Sequence, residues 1–332
     1  MQRSICITCQ PEDLDQGLFG MVVLYAFQLL PYLYERRIFP QWEIRSRHFG
    51  DPPDFLTIPG VLDLAYDAPT GPCQRIWLHE LRRRHSFVLG NDWSYLNRIW
   101  NMYFKIPPRI LEQADSVMPQ GRVLGIHYRG TDKQTTAWDS NPISQEQYLT
   151  LVLDFLSNRP DYDVIFAATD EHSFIERLRE TTKLPVVALD PVEFFMLENT
   201  GTKPSTKADR ALLDCVLLSR CMCVLKTSSA LSSFAKLLNP DLEIYRCAAS
   251  KLYTNMPYFP VAHIPILPVT SAESKEILRS SMELDWTLTP NHHGSYKPGV
   301  RRPRWPINHA IFNIAERLGI DNLVAKIAHG YR

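Results

Sequence analysis

The stretch "GIHYRGTDK", residues 125 to 133, ends an apolar run in an imidazole, a guanidinium, a hydroxyl, a carboxylate and an ammonium. A cation delivered with several donors at one strand end suits an anionic ligand, because an arginine fork can grip a phosphate through two parallel bonds. An ordinary polar turn is the plainer reading of the same residues. A second set, Thr227, Ser228 and Ser229, stands before the helical pattern "LSSFAKLLN". Exposed N–H groups, hydroxyls and the helix dipole make such a turn an anion site, and an ordinary N-cap uses the same residue types. Thr169, Asp170 and Glu171 close another apolar run, Asp190 closes the next, and Asp214 is a carboxylate among leucines in "ALLDCVLL". Taken singly, Arg129 could be a surface ion-pair partner and Asp214 a buried group capping a loop.

These residues need a scaffold that gathers them. From Arg122 onward apolar runs alternate with amphipathic ones: strand 122–128, helix "SQEQYLTLVLDFLSNR", strand "DVIFAAT", helix "HSFIERLRETT" and strand "PVVALD". Helix "KADRALLDCVLLSRC", strand "MCVLKT", helix "LSSFAKLLN" and strand "EIYRC" complete the set. Such alternation predicts a parallel sheet covered by helices on both faces, with ligands outside the carboxyl ends of the strands. That rule brings His127, Arg129, Asp132, Lys133, Asp170 and the Thr227–Ser229 turn to one edge. Nearer the start, "SICITC" predicts a short buried strand, and a loop with Gly17 and Gly20 leads to an apolar helix. "RIWLHELRRRHSFVLG", "SYLNRIWNMYFKI" and "IPPRILEQADSVMP" read as helices, with a lobe boundary near Pro119. Residues 271–282 and those from Ile307 read as helices too.

Composition narrows the classes. With 332 residues, 45% hydrophobic and 22% charged, the chain is a folded globular protein of two lobes. Its formal net charge of zero argues against a general nucleic-acid binder. Seven scattered cysteines fit a reduced, cytoplasmic protein, and Cys6 and Cys9, spaced C-x-x-C, read as packed thiols with no second pair to complete a zinc site. Leu18–Tyr34 is apolar but interrupted by Gln28 and Pro31 and preceded by acids, so it reads as a buried helix. Asp161-Tyr162-Asp163 has D-x-D form but precedes its strand, at the wrong end for a metal-held diphosphate. His292-His293 lacks partners at metal spacing, and no G-x-S-x-G elbow marks a hydrolase.

"GIHYRGTDK" is similar to the H-x-R-x-x-D-K type motif of GDP-fucose-dependent fucosyltransferases, the superfamily of α1,6-, nodulation and protein O-fucosyltransferases. "FAATDEHSFIERLRE" resembles that superfamily's second motif, and "ALLDCVLLSRCMCVLKTSSALSSFAKLL" its third. Order and spacing agree over residues 122 to 240, and the resemblance is loose before and poor after. It implies an α/β, GT-B-like enzyme: two Rossmann-type lobes with parallel sheets and a cleft between them, inverting and metal-independent, with no cofactor. By the same resemblance Arg129 contacts the donor pyrophosphate, His127 lies near the nucleotide, Asp214 recognises guanine, and Thr227, Ser228 and Ser229 bind phosphate. A carboxylate can accept both N–H groups of guanine's edge, and an arginine can stabilise a leaving diphosphate.

Two departures matter. Gly130 stands where the α1,6 enzymes have a second arginine, and their proposed basic glutamate is replaced near Ala137 and Trp138. Asp139, Glu12 and Asp13 are the remaining candidates for a base. The expected catalytic set is Arg129, Asp132 and Lys133; the donor-binding set is His127, Arg129, Asp170, Asp214, Thr227, Ser228, Ser229, Gly17 and Gly20; no metal is expected. Residues 1–118 are expected to form the acceptor-side lobe, 119–255 the donor lobe, and 256–332 an extension packing back on the first lobe. The expected activity is transfer of L-fucose from GDP-fucose to a glycan or lipid-linked saccharide, with peripheral membrane association compatible and nucleic acid excluded. The rivals are another GDP-sugar, a protein hydroxyl acceptor, or a non-catalytic GDP-sugar binder.

Overall fold

The computed structural model describes residues 4–8, 29–43, 61–77, 92–130, 143–189, 204–227, 229–248 and 264–282. It is a mixed α/β protein whose sheets are parallel but for one two-stranded pair. Two compact units meet in the chain at Lys105 and Ile106.

The first unit contains β1 (Ser4–Thr8), α1 (Leu30–Glu35), β2 (Gln41–Glu43), β3 (Asp63–Leu64), β4 (Cys73–Trp77), α2 (Trp93–Tyr103) and β5 (Phe104–Lys105). β1 is the middle strand of a parallel sheet ordered β2-β1-β4, and its Cys6 and Ile7 are fully buried. A strand covered on both sides favours such an unbroken apolar run. Two sequence expectations fail here. Arg75, Ile76 and Trp77 pair with β1 and are strand, not the start of a helix. The periodicity around them was ambiguous, and pairing to β1 decides for Ile and Trp, which suit a pleated surface. The helix predicted through Ile106 ends at Tyr103, because Phe104 and Lys105 pair antiparallel with β3. Its start follows expectation: the Asp92 carboxylate accepts from Tyr95 N at 2.8 Å, and Trp93, Leu96, Ile99, Trp100 and Tyr103 form its buried face. Of the apolar segment 18–34, the described part begins α1, with Pro31 in the first turn, where its missing N–H costs nothing. Among the described residues no helix is long and apolar enough to cross a membrane.

The second unit contains α3 (Pro108–Val117), β6 (Val123–Tyr128), α4 (Gln145–Asn158), β7 (Val164–Thr169), α5 (His172–Thr181) and β8 (Val186–Ala188). It continues through α6 (Pro204–Ser219), β9 (Cys223–Lys226), α7 (Ala230–Leu238), β10 (Glu243–Arg246) and α8 (Ala272–Met282). Its five-stranded parallel sheet has the order β10-β9-β6-β7-β8. All six side chains of β6 are buried, as expected of a central strand. Gly125 is needed at its middle: a Cβ there would lie 2.8 Å from Val224 Cγ2 and 3.0 Å from Cys221 Sγ. On the opposite face Tyr128, Tyr148 and Phe174 form an aromatic cluster with centroids 4.5 to 5.7 Å apart. The Tyr148 hydroxyl donates to Leu225 O at 2.7 Å, which locks α4 to β9. Ser144 and Gln147 form a capping box that starts α4.

The unit boundary lies ahead of α3, not at Pro119. Ile110 and Ala114 are buried, and the Arg220–Asp115 (2.7 Å) and Arg109–Asp209 pairs tie α3 to α6 and the turn after it. Residues 264–282, within the extension expected over 256–332, pack on the second unit. Arg246 bridges Ile266, and the Asp154 carboxylate of α4 accepts from Thr270 N at 2.8 Å just before α8.

Candidate anion site at the carboxyl edge of the second unit

From β6 the chain builds outward through β7 and β8, then crosses to the other side of β6 for β9 and β10. The strand order therefore reverses between β6 and β9. Sheets of this kind hold ligands outside the carboxyl ends of the strands at such a reversal. His127 and Arg129 come from the end of β6, Thr227 and Ser229 from the end of β9, and Asp170 from the end of β7.

These groups are joined by a connected set of hydrogen bonds. Arg129 N donates to Thr227 Oγ1 at 2.9 Å, and Thr227 N donates to His127 O at 3.0 Å. The guanidinium of Arg129 meets Asp170, Nε to Oδ2, at 3.2 Å; the two side chains are 18% and 2% exposed. The other carboxylate oxygen of Asp170 accepts from Gly130 N at 3.0 Å. Asp170 thus fixes both the backbone and the side chain of the Arg129 turn. This makes it an orienting residue for the cation, in the way a paired carboxylate fixes a planar guanidinium.

The His127 ring is buried, with Nδ1 2.9 Å from Ser232 Oγ in the first turn of α7. Burial, and then the charges of Lys226 and Arg129, hold its pKa well below the usual imidazole value. It is a neutral hydrogen-bonding group at physiological pH. Ser229 is the N-cap of α7: its Oγ accepts from Leu231 N at 3.2 Å. The capping role of Ser229 leaves the N–H groups and dipole of α7 beside Arg129's partner Thr227 as the anion-binding potential of this turn.

Asp214 sits apart from this set. It is buried on α6 and meets Arg210 Nε at 3.4 Å. Burial pushes its carboxyl up to about 6, against the opposing charge of Arg210. Gly17, Gly20, Asp132, Lys133, Ser228, and also Glu12, Asp13, Asp139, Asp190, His292 and His293, lie outside the described residues.

Three features were missed in the sequence. Lys226 is fully buried at the end of β9, and a lysine closing an apolar strand was its signal. Ser232, which orients His127, had no signal, since the two are 105 residues apart. Glu171 fills the space beside Gly130: a Cβ there would lie 1.9 Å from Glu171 Oε1, so glycine admits the carboxylate, which also accepts from Gln145 Nε2. At the other end of the sheet, Asp163 Oδ2 accepts from Arg122 N at 2.7 Å and Asp161 pairs with the Arg122 side chain. The D-x-D residues therefore brace the turn before β7, as the sequence suggested. Among the described residues no group of three His, Cys, Asp or Glu side chains clusters at metal-binding distance.

No family model matches the chain, and no curated protein matches it. Among solved structures it is similar to NodZ α-1,6-fucosyltransferase soaked with GDP-fucose, at 15% identity and a TM-score of 0.46, over 72% of this chain and 94% of that one. It is similar to POFUT1 in complex with GDP-fucose, at 10% identity and 0.42, over 73% and 97% of the two chains. FUT1 of Arabidopsis thaliana, in a mutant form with GDP, is similar at 9% identity and 0.44, over 74% and 70%. These likenesses assign no residue here, and the site stands on its own geometry.

Proposed function

We propose that the carboxyl edge of the second unit holds the diphosphate of a GDP-sugar and that the protein transfers L-fucose, with inversion, to a glycan or lipid-linked saccharide. The observation that carries this reading is Arg129. Its guanidinium is oriented by a buried aspartate and its backbone by Thr227, at the strand-order reversal and beside a helix N-terminus. Transfer breaks the bond between the sugar's anomeric carbon and the diphosphate oxygen, and the electron pair leaves with the diphosphate. A fixed cation and a helix N-terminus lower the energy of that developing charge without having to reorganise. The acceptor hydroxyl attacks from the opposite face and gives its proton to a base, for which Asp139, Glu12 and Asp13 are the candidates. Asp132 and Lys133, three and four residues past Arg129, would add to the same pocket, and Asp214 would read guanine. No divalent metal is required in this scheme, because Asp170 is already committed to Arg129 and Gly130.

A second reading is a GDP-sugar binder without transfer. Glu171 favours it, since a carboxylate lies beside Gly130, where the resembling α1,6 enzymes carry a second arginine. Incubation of GDP-fucose with a panel of glycans, with mass detection of products, separates the two. Fucosylated product supports transfer, and binding of donor with neither product nor hydrolysis supports the binder.

A further inference from the structure

Lys226 ends β9, one residue before the threonine that ties β9 to Arg129. Its side chain is fully buried and its Nζ has no hydrogen-bond partner among the described residues. An ammonium in that state is among the costliest things a fold can hold, so the amine either stays neutral or awaits a counter-charge. The register places it beside His127 of β6 on one side and Arg246 of β10 on the other. Partners in register point to the same face of a sheet, here the face on which Ser232 of α7 reaches His127.

Among the described residues, the titratable groups beside Lys226 are His127 of β6, Arg246 of β10 and the Cys247 thiol that follows. α7 contributes Ser232, which carries no charge, to the same face. Burial pushes the Lys226 amine down to about 7; the charge of Arg246 adds to this and Cys247 opposes it. Lys226, when charged, in turn helps keep His127 neutral.

We propose that Lys226 is a buried cation of the anion site, one that becomes charged by taking a proton from solvent when a diphosphate settles over the ends of β6 and β9. The inference rests on reading this edge as a diphosphate site. The amine and one solvent proton give the ammonium, and no bond to the ligand forms. Direct contact is unnecessary, because charges interact several-fold more strongly through protein than through water at the same separation. The ligand class is a polyanion of the nucleoside diphosphate type, for which the site gains charge only when it is occupied.

Calorimetric titration with GDP at pH 8, in two buffers of different ionisation enthalpy, reads the protons taken up. At that pH His127 is neutral and nucleotide phosphates are fully ionised, which leaves Lys226 as the group in range among the described residues of this edge. The wild-type protein should take up a measurable fraction of a proton per GDP, bounded by the roughly nine-tenths of the amine that is neutral one unit above its titration point. Lys226→Met should take up none and bind GDP about ten-fold more weakly. Lys226→Arg, already charged, should bind without uptake. Binding by the wild type with no proton uptake would overturn the inference and leave the diphosphate reading intact, and this needs no variant to fold. Undiminished uptake in Lys226→Met would overturn it too. If neither GDP nor inorganic pyrophosphate binds the wild type, the diphosphate reading itself fails, and this inference with it.

Discussion

The two ends of one five-stranded sheet each carry an arginine and an aspartate from β6 and β7, and their surroundings set them apart. At the amino end Arg122 and Asp161 are 48% and 38% exposed, and both stand in water at a turn. At the carboxyl end Arg129 and Asp170 are 18% and 2% exposed and are joined to Gly130, Thr227 and, through the backbone, His127. The pair chemistry is the same at both ends. What differs is desolvation, and with it the strength of the electrostatics and the penalty for losing one member. An arginine and an aspartate at neighbouring strand ends therefore say little about function until their burial is known.

The widest separation between the two ends should appear in stability. Asp170→Ala removes the buried carboxylate that orients the Arg129 guanidinium and accepts from Gly130 N, and should destabilise the protein by about 3–5 kcal/mol. Asp161→Ala should cost less than about 1 kcal/mol. Urea unfolding of both variants reads the contrast, and equal losses would erase it.

Turnover comes next. Arg129→Ala should lower the rate of fucosyl transfer by roughly 10²–10³, the scale for removing one group that stabilises a leaving anion. Arg129→Lys should recover only part, since an ammonium lacks the planar two-pronged grip. Arg122→Ala should leave the rate unchanged. Near-normal activity in a well-folded Arg129→Ala would reduce the carboxyl-end pair to structure.

Asp214 sharpens the comparison from a third position, with two opposed effects. Its folded pKa of about 6 lies above the ordinary carboxylate value, so the folded protein holds an extra proton between about pH 4 and 6. Stability from this group is present below that window and falls as pH rises through it. Between pH 4 and pH 7 the parent protein should therefore lose stability relative to Asp214→Asn, whose side chain does not titrate. The same change should weaken GDP binding by about 1.5–3 kcal/mol, the scale of a hydrogen bond to a charged group. GDP should raise the melting temperature of the parent protein where UDP and ADP do little. Equal shifts with all three would remove the guanine assignment.

The smallest effect expected is none. Treatment with EDTA should leave transfer unchanged, because Arg129 and the N-terminus of α7 supply the positive potential. Loss of activity in EDTA, restored by manganese, would move attention to Glu171 and Asp170.

Much of the second unit was legible in the sequence because its signals are local and redundant. Unbroken apolar runs gave β6, β7 and β9, and the spacing of Tyr148, Leu149, Val152, Leu153 and Leu156 gave α4, although Leu151 and Phe155 are buried there and Leu153 is exposed. The Ser229 cap was readable from "SSALSS". Errors gathered where a partner strand decides: Arg75–Trp77 and Phe104–Lys105 are strands only because β1 and β3 lie beside them. Within the site, Arg129 and Thr227 followed from the strand-end rule. The commitment of Asp170 to Arg129, the Ser232–His127 bond and the filling of Gly130 by Glu171 depend on loop paths that no spacing encodes. Lys226 was visible as a residue but not as an anomaly, since only burial makes its amine unusual.

The Arg246–Ile266 bridge has a consequence for self-association. β10 is a border strand, and such strands present unpaired backbone groups that can recruit a strand from another molecule. Here the chain guards its own border. Residues 264–267 lie along β10, with Arg246 N donating to Pro265 O at 2.8 Å and Leu267 N donating to Arg246 O at 3.1 Å. Pro265 and Pro268 have no N–H to offer outward, so the guarding segment is itself a poor template. The opposite border, β8, is only three residues long. A parallel sheet proposed to take ligand at its carboxyl end thus offers, among the described residues, a guarded border on one side and a short one on the other, both poor seeds for amyloid-like growth.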